Sequence, residues 1–85
     1  MPTTTISLTS PIVFVDNETP LGVVNGINRT FTLANTPKSP ATLHVYVNGF
    51  RMLLGSGNDY VTSSNNLGFT VAPPAGAIIT VDYRY

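Results

Sequence analysis

The sequence contains no cysteine and no tryptophan, and it has a single histidine. Without cysteine, neither a disulfide nor a thiolate zinc site can stabilise this chain of 85 residues. A chain of this size buries only about 60% of its surface on folding, which leaves a thin margin of stability. Association with another chain is the remaining way to bury more surface.

Charge is also scarce. Charged residues make up 9% of the chain, against about 25% in an average domain, and the net charge is zero. Such a surface gives little repulsion between copies. The chain is therefore either an ordinary threonine-rich β domain or a protein whose surface is largely covered by partners, and we favour the second interpretation. The four basic residues lie far apart in sequence, so we expect no nucleic-acid partner.

Long apolar runs and helical periodicity are missing as well. No stretch approaches the roughly 20 apolar residues that span a membrane, and the first residues show no signal-peptide pattern, so we expect no membrane partner. No window has apolar residues at helical spacing, whereas short alternating segments recur between turn residues. The sequence predicts an all-β fold, a small antiparallel β-sandwich or barrel-like domain of about six to eight short strands. Residues 1–20 are predicted to be an N-terminal arm or edge strand, and residues 21–85 the sandwich domain.

The strongest local signal is Asn48-Gly49 between two alternating runs, which predicts a hairpin with a type I′ turn. This turn pairs Tyr46 with Arg51 and, further along, His44 with Leu53. One face of the hairpin is entirely apolar and is predicted to lie in the core: Leu43, Val45, Val47, Phe50, Met52 and Leu54. The opposite face is the candidate for function.

Four other strands are predicted by alternation: Arg29–Leu33, Asp59–Ser63, Leu67–Val71 and Ala77–Tyr85. On the last two strands, Leu67, Phe69, Val71, Ile79, Val81 and Tyr83 are predicted to face inward. On the first two, Phe31 shares one face with Leu33, and Tyr60 shares one face with Thr62. Gly68 is predicted to be a weak point or a bulge. In the arm, Thr3–Thr9 reads as a strand, and the segment 16–20 reads as a loop.

The residue types that favour a partner interface lie on the polar side of the hairpin and at the C-terminus. Tyrosine and arginine are enriched at interface centres, and Tyr46 is expected to stack with Arg51. The alternative for the C-terminal tyrosines is that Tyr83 belongs to the core and Tyr85 caps the end of the sandwich. The predicted interface residues are His44, Tyr46, Arg51, Leu53 and Tyr85.

Catalytic and metal-binding patterns are weak. His44 has no acidic neighbour nearby in sequence, and the four acids are scattered, so we expect no enzyme and no cofactor. Calcium is the one metal worth weighing, with oxygen ligands from Asn58-Asp59 or from Asp16-Asn17-Glu18. Turn formation by Asn and Asp explains both segments, so we expect no metal.

Several motifs occur in a distinctive order. They are Asn25-Gly26-Ile27-Asn28-Arg29-Thr30-Phe31-Thr32-Leu33, Thr36-Pro37, Val45-Tyr46-Val47-Asn48-Gly49-Phe50-Arg51, Gly57-Asn58-Asp59-Tyr60, Ala72-Pro73-Pro74-Ala75-Gly76 and Val81-Asp82-Tyr83. This series resembles a small β module of tailed-bacteriophage virion proteins, which occurs in head-decoration, tail-fibre and baseplate proteins. The resemblance covers residues 19–85.

The resemblance implies a structural virion protein, made in the bacterial host cytoplasm, that binds the major capsid protein or another virion protein. Self-association is expected too, a trimer being one arrangement. The module stands here behind a short arm without a fibre shaft, which favours a capsid decoration or cement protein. The alternative is a tail-fibre or baseplate module that binds a receptor or carbohydrate. In the cement role, the arm Met1–Val15 is expected to add a strand to a neighbour's sheet.

Overall fold

The computed structural model describes residues 12–85, which form seven short strands and one turn of 3-10 helix at Pro40–Thr42. The predicted strand Thr3–Thr9 lies outside these residues. The strands are β1 Phe14–Glu18, β2 Thr30–Thr32, β3 His44–Val47, β4 Phe50–Arg51, β5 Tyr60–Ser63, β6 Asn66–Phe69 and β7 Ile79–Arg84. The predicted all-β fold is confirmed.

The strands build two antiparallel sheets. One has four strands in the order β1-β7-β3-β4, and the other has three in the order β2-β6-β5. The outer edge of β2 is partly covered, because Leu21 exchanges two main-chain hydrogen bonds with Thr32. The side chain of Asn28 also bonds to both the N–H and the C=O of Thr30.

The core lies between the two sheets. It consists of the inward-facing side chains of both sheets: Phe31, Leu33, Leu43, Val45, Tyr60, Leu67, Phe69, Ile79, Val81 and Tyr83. The rings of Phe31 and Phe69 meet edge to face, with 5.6 Å between their centroids. Seven of these residues were predicted to face inward, because each strand exposes one side to the opposite sheet. For Phe31, Leu33 and Tyr60, alternation predicted only a shared face of the strand, and the structure shows that this face is the inward one.

The segment 16–20 corrects one expectation, because its first three residues belong to β1 rather than to a loop. A bulge lets them pair: Val15 lies opposite Tyr83 and Glu18 opposite Val81, so the strand accommodates one extra residue. Asn17 adopts a left-handed conformation there, with φ of 58°, and its N–H donates to Asp82 Oδ1 at 2.8 Å. The bulge turns Glu18 toward the interior.

The strand pairing bears on two further expectations, one about the N-terminal arm and one about Gly68. Phe14 and Val15, which belong to the arm segment expected to pair with a neighbour, pair with β7 of their own chain. The division of the chain at residue 20 stays a prediction. Gly68 forms no bulge: it lies in regular register between Thr30 and Val61. No helix within residues 12–85 is both long and apolar enough to cross a membrane.

Candidate functional site

The β3–β4 hairpin forms one edge of the four-stranded sheet, and its turn lies at one end of the strands. The predicted turn is confirmed. Asn48 and Gly49 have φ angles of 53° and 84°, the positive values that a type I′ turn requires. The turn is anchored to the strand beside it, since Asn48 donates its N–H to the Ile78 carbonyl at 2.8 Å. The N–H of Ile78 in turn donates to Asn48 Oδ1 at 2.9 Å. This end of the sheet is therefore held firmly.

The outer face of the four-stranded sheet carries three of the five predicted interface residues. Tyr46 lies directly opposite Arg51 on β4, as predicted, and opposite Thr80 on β7. His44, two residues earlier on β3, lies opposite Asp82. This acidic neighbour was not predicted, because the two residues are far apart along the chain. Tyr46 and His44 are half-buried, whereas Arg51 is exposed.

The expected stacking of Arg51 on Tyr46 was wrong. Within the part of the chain that the structure describes, the cation–π contact is made by Arg84, whose guanidinium carbon lies 4.9 Å from the Phe14 ring centroid. Because β1 lies beside β7, the tertiary pairing brings these two residues together.

Leu53 departs from the predicted hairpin register. The ladder continues to Met52, whose N–H donates to the Val45 carbonyl at 2.8 Å, and then ends. Leu53 donates its N–H to Asp59 Oδ2 at 2.8 Å, and Leu54 bridges to Tyr60 in the three-stranded sheet. The predicted pairing of His44 with Leu53 is therefore wrong, because the chain crosses to the other sheet at this point. Leu53 remains 62% exposed, and Leu54 is also exposed rather than in the core.

Beyond the hairpin the two sheets separate and leave an apolar groove of about 680 Å³, here called the mouth groove. Its walls come from the inward side of the hairpin and from the two loops facing it: Val47, Asn48, Phe50, Met52, Leu53, Gly57–Asp59 and Phe69–Pro74. Phe50 and Val71 were predicted to face the core, but they are 74% and 78% exposed. Both residues line the groove where the two sheets separate, so neither side chain is covered by the opposite sheet.

Tyr85 lies at the other end of the molecule. Its main chain exchanges two hydrogen bonds with Val13, at 2.9 and 3.0 Å. Its ring centroid is 6.2 Å from that of Tyr83, and the side chain is 37% exposed. Tyr83 itself is buried in the core, which confirms the alternative considered for this residue. The structure therefore does not bring Tyr85 to the hairpin residues.

A polar network surrounds Glu18, and it was not predicted from the sequence. Tyr83 donates its hydroxyl hydrogen to Glu18 Oε1 at 2.7 Å, and Ala34 donates its N–H to Glu18 Oε2 at 2.9 Å. The Tyr83 hydroxyl also accepts the N–H of Asn35 at 3.1 Å. Burial raises the pKa of Tyr83, and its hydrogen bond to Glu18 raises it further. The only sequence signal was weak: an acidic residue directly after Asn17 in a polar segment.

Three of the residues considered as calcium ligands, Glu18, Asn58 and Asp59, form hydrogen bonds within the fold. Asp59 accepts the N–H of Leu53, and Asn58 donates its side-chain N–H to the Leu54 carbonyl at 3.1 Å. Glu18 accepts the two hydrogen bonds of the polar network. Among residues 12–85, no three His, Asp or Glu side chains form a group that could hold a metal ion.

Comparison of the chain with protein-family models, with curated proteins and with solved structures finds no match. Its function must therefore be argued from its own surface and from the motifs of the sequence. Two surfaces are candidates for contact with a partner: the outer face of the four-stranded sheet and the mouth groove. Both expose side chains that could bury surface against a partner.

Proposed function

We propose that this chain is a structural protein of a tailed-bacteriophage virion, bound to the head shell as a decoration or cement protein. The observation that carries the proposal is its apolar surface. Thirteen large hydrophobic side chains are exposed among residues 12–85, whereas the whole chain has only eight charged residues. Where such side chains cluster, as Phe50, Leu53 and Val71 do around the mouth groove, they are typical of a surface that a partner covers.

The choice of the virion rests on the motif series that resembles the phage β module. The Asn48-Gly49 turn of that series adopts the positive φ angles that a hairpin needs. The segments before and after it supply Phe31, Tyr60 and Tyr83 to one core. The motifs therefore act together to form one fold, which is consistent with their belonging to one module.

The proposed mechanism is assembly by burial of surface, without catalysis. The outer face presents Tyr46 beside Arg51, two residue types enriched at the centres of interfaces. On the same sheet, Asp82 lies opposite His44. Its carboxylate accepts the N–H of Asn17 and so stabilises the bulge of β1. Many copies of a weak contact reinforce a shell, because each bound copy is held at several points.

The test is the position of the chain on the particle. Purified particles of the phage that encodes it are labelled with an antibody against the chain and imaged by electron microscopy. Label spread over the head supports the decoration role, and label confined to the tail contradicts it. Absence of the chain from purified particles contradicts any role in the virion.

The second candidate is a tail-fibre or baseplate module that binds a receptor or carbohydrate. Exposed aromatic rings are its usual requirement, and Phe50 supplies one beside Asn48 and Asn58 in the mouth groove. Label at the tail, together with saccharide binding by the purified chain on a glycan array, would favour this candidate. Head label with no saccharide binding would exclude it.

A further inference from the structure

The mouth groove and the start of the described chain lie at opposite ends of the four-stranded sheet. β7 begins beside the hairpin turn, where Ile78 pairs with Asn48, and ends at Arg84, opposite Phe14. A strand of this length spans about 20 Å. The eleven residues before Ile12 therefore join the domain at the end remote from its own groove.

The groove suits an uncharged, extended segment. Phe50, Leu53 and Val71 present apolar side chains to it. The carboxylate of its one acidic lining residue, Asp59, accepts a hydrogen bond from the N–H of Leu53. A strand that enters here would lay apolar side chains on these residues.

The free edge of β4 borders the same groove. Met52 donates its N–H to Val45 on β3. Because main-chain groups alternate in direction along an antiparallel strand, the N–H and C=O of Arg51 point away from β3. They are available to pair with a further strand. Of the two edges of the four-stranded sheet, β4 is therefore the one beside the groove at which an extended segment would continue the sheet.

Residues 1–11 have the composition that such a groove requires. They contain no charged side chain, and Ile6 and Leu8 alternate with Thr and Ser, the pattern that predicts a strand over Thr3–Thr9. Fully extended, eleven residues reach about 36 Å, enough to cross to a neighbouring copy and pair along β4.

We propose that the mouth groove of one copy binds residues 1–11 of a second copy, with Ile6 and Leu8 against the groove. Each copy then has one segment that inserts and one groove that receives, at opposite ends of the sheet. Such a head-to-tail contact closes into a ring or extends as a row of copies. The contact is between identical chains, so it does not depend on the proposed binding to a head shell.

Two variants test this contact by complementation. Deletion of residues 1–11 removes the inserting segment and keeps the groove, whereas Val71→Asp keeps the segment and places a carboxylate in the groove. Val71→Asp should raise the dissociation constant at least about a hundredfold, since a buried, unpaired carboxylate is strongly disfavoured. Each variant alone should sediment as a monomer in the analytical ultracentrifuge. An equal mixture should form dimers, since one functional segment and one functional groove remain.

Val23→Asp is the matched control for the groove variant. Val23 is 65% exposed, compared with 78% for Val71, and does not line the groove. Its substitution should leave self-association unchanged. A wild-type chain that is monomeric at its highest soluble concentration overturns the proposal, and so does a mixture that remains monomeric.

Disulfide trapping gives a second readout that does not depend on the aspartate variant. Because the chain has no cysteine, a disulfide in the variant Leu8→Cys with Val71→Cys can join only the introduced residues. Mild oxidation should give bands of dimer size and larger on a non-reducing gel. Leu8→Cys with Val23→Cys should give few such bands. Closure within one chain, or equal bands from both variants, overturns the proposal.

Discussion

At the scale of single residues, Glu18 has a structural role that its position in a polar segment conceals. Its two carboxylate oxygens accept hydrogen bonds from the Tyr83 hydroxyl and from the Ala34 N–H. These bonds connect β1 to the core strand β7 and to the loop after β2. Since Glu18 itself is half-buried, it can hold the three segments together without the cost of a fully buried charge.

Removing this carboxylate should destabilise the fold. Glu18→Ala leaves two donors without an acceptor, so the free energy of unfolding should fall by about 1–3 kcal/mol. Urea denaturation monitored by circular dichroism measures the change. Asp16→Asn is the control, because Asp16 is exposed on the same strand, and it should change stability by less than about 0.5 kcal/mol. Equal effects of the two substitutions would contradict the role of Glu18.

The buried tyrosines predict a loss of stability in alkali. Burial raises the pKa of both Tyr60 and Tyr83 above the ordinary value of 10.0. The folded state thus retains these protons where the unfolded state has lost them. The stabilisation is complete below pH 10, and it is lost as the pH rises from there through the higher pKa values of the folded state.

Unfolding free energies measured at pH 9, 10 and 11 test this expectation. The wild-type value should decrease with pH over this range, and Tyr83→Phe should flatten the decrease by removing one titrating group. Adding Tyr60→Phe should flatten it further. A slope that is unchanged in the double variant would show that other groups cause the alkaline loss.

At the scale of elements, the turns are built by residues with positive φ, and two glycines show how different their roles are. Gly49 completes the hairpin turn with φ of 84°, and an added Cβ would meet nothing within 4 Å. Gly22 has φ of 150°, and an added Cβ would overlap the ring of Phe31. One glycine supplies backbone freedom alone, whereas the other also makes space for a core ring.

Alanine substitutions should separate these two roles. Gly49→Ala should cost about 1–2 kcal/mol of stability, the penalty for a side chain in the left-handed region. Gly22→Ala should cost more, because the Phe31 ring must also shift within a close-packed core. Urea denaturation compares the two, and a smaller loss for Gly22→Ala would contradict the close contact with Phe31.

At the element scale, too, the hairpin shows how far along the two strands the turn sequence predicts their pairing. The turn and the pairing of Tyr46 with Arg51 followed from the sequence, because Asn-Gly fixes both geometry and register. The departure at Leu53 did not follow. It depends on the Asp59 carboxylate, six residues later, and on the bridge from Leu54 to Tyr60.

At the scale of the whole molecule, the exposed surfaces are divided between two ends and one face. The hairpin end holds the mouth groove, and the opposite end holds Tyr85 and the start of the described chain. The outer face between them carries Tyr46 and Arg51. This arrangement would let one copy contact a shell through the face and its neighbours through the two ends.

The outer face is tested by the substitution of Arg51. If this face contacts the shell, Arg51→Ala should lower the affinity of the chain for particles lacking it by about tenfold or more, because interface arginines often dominate binding. Binding to such particles is measured by co-sedimentation. Arg29→Ala is the control: Arg29 is also exposed but lies beside the three-stranded sheet, where it donates to the Thr70 carbonyl. Similar losses for both would contradict the assignment of the face.

The sequence by itself determined the all-β fold, the hairpin turn and most of the core. Alternation and positive-φ residues are local properties, and each is encoded within a few neighbouring residues. Only the tertiary structure decided that Phe50 and Val71 line an open groove, that His44 faces Asp82, and that Glu18 bonds to Tyr83. These features depend on where two sheets separate and on how distant strands align, and no local pattern specifies either.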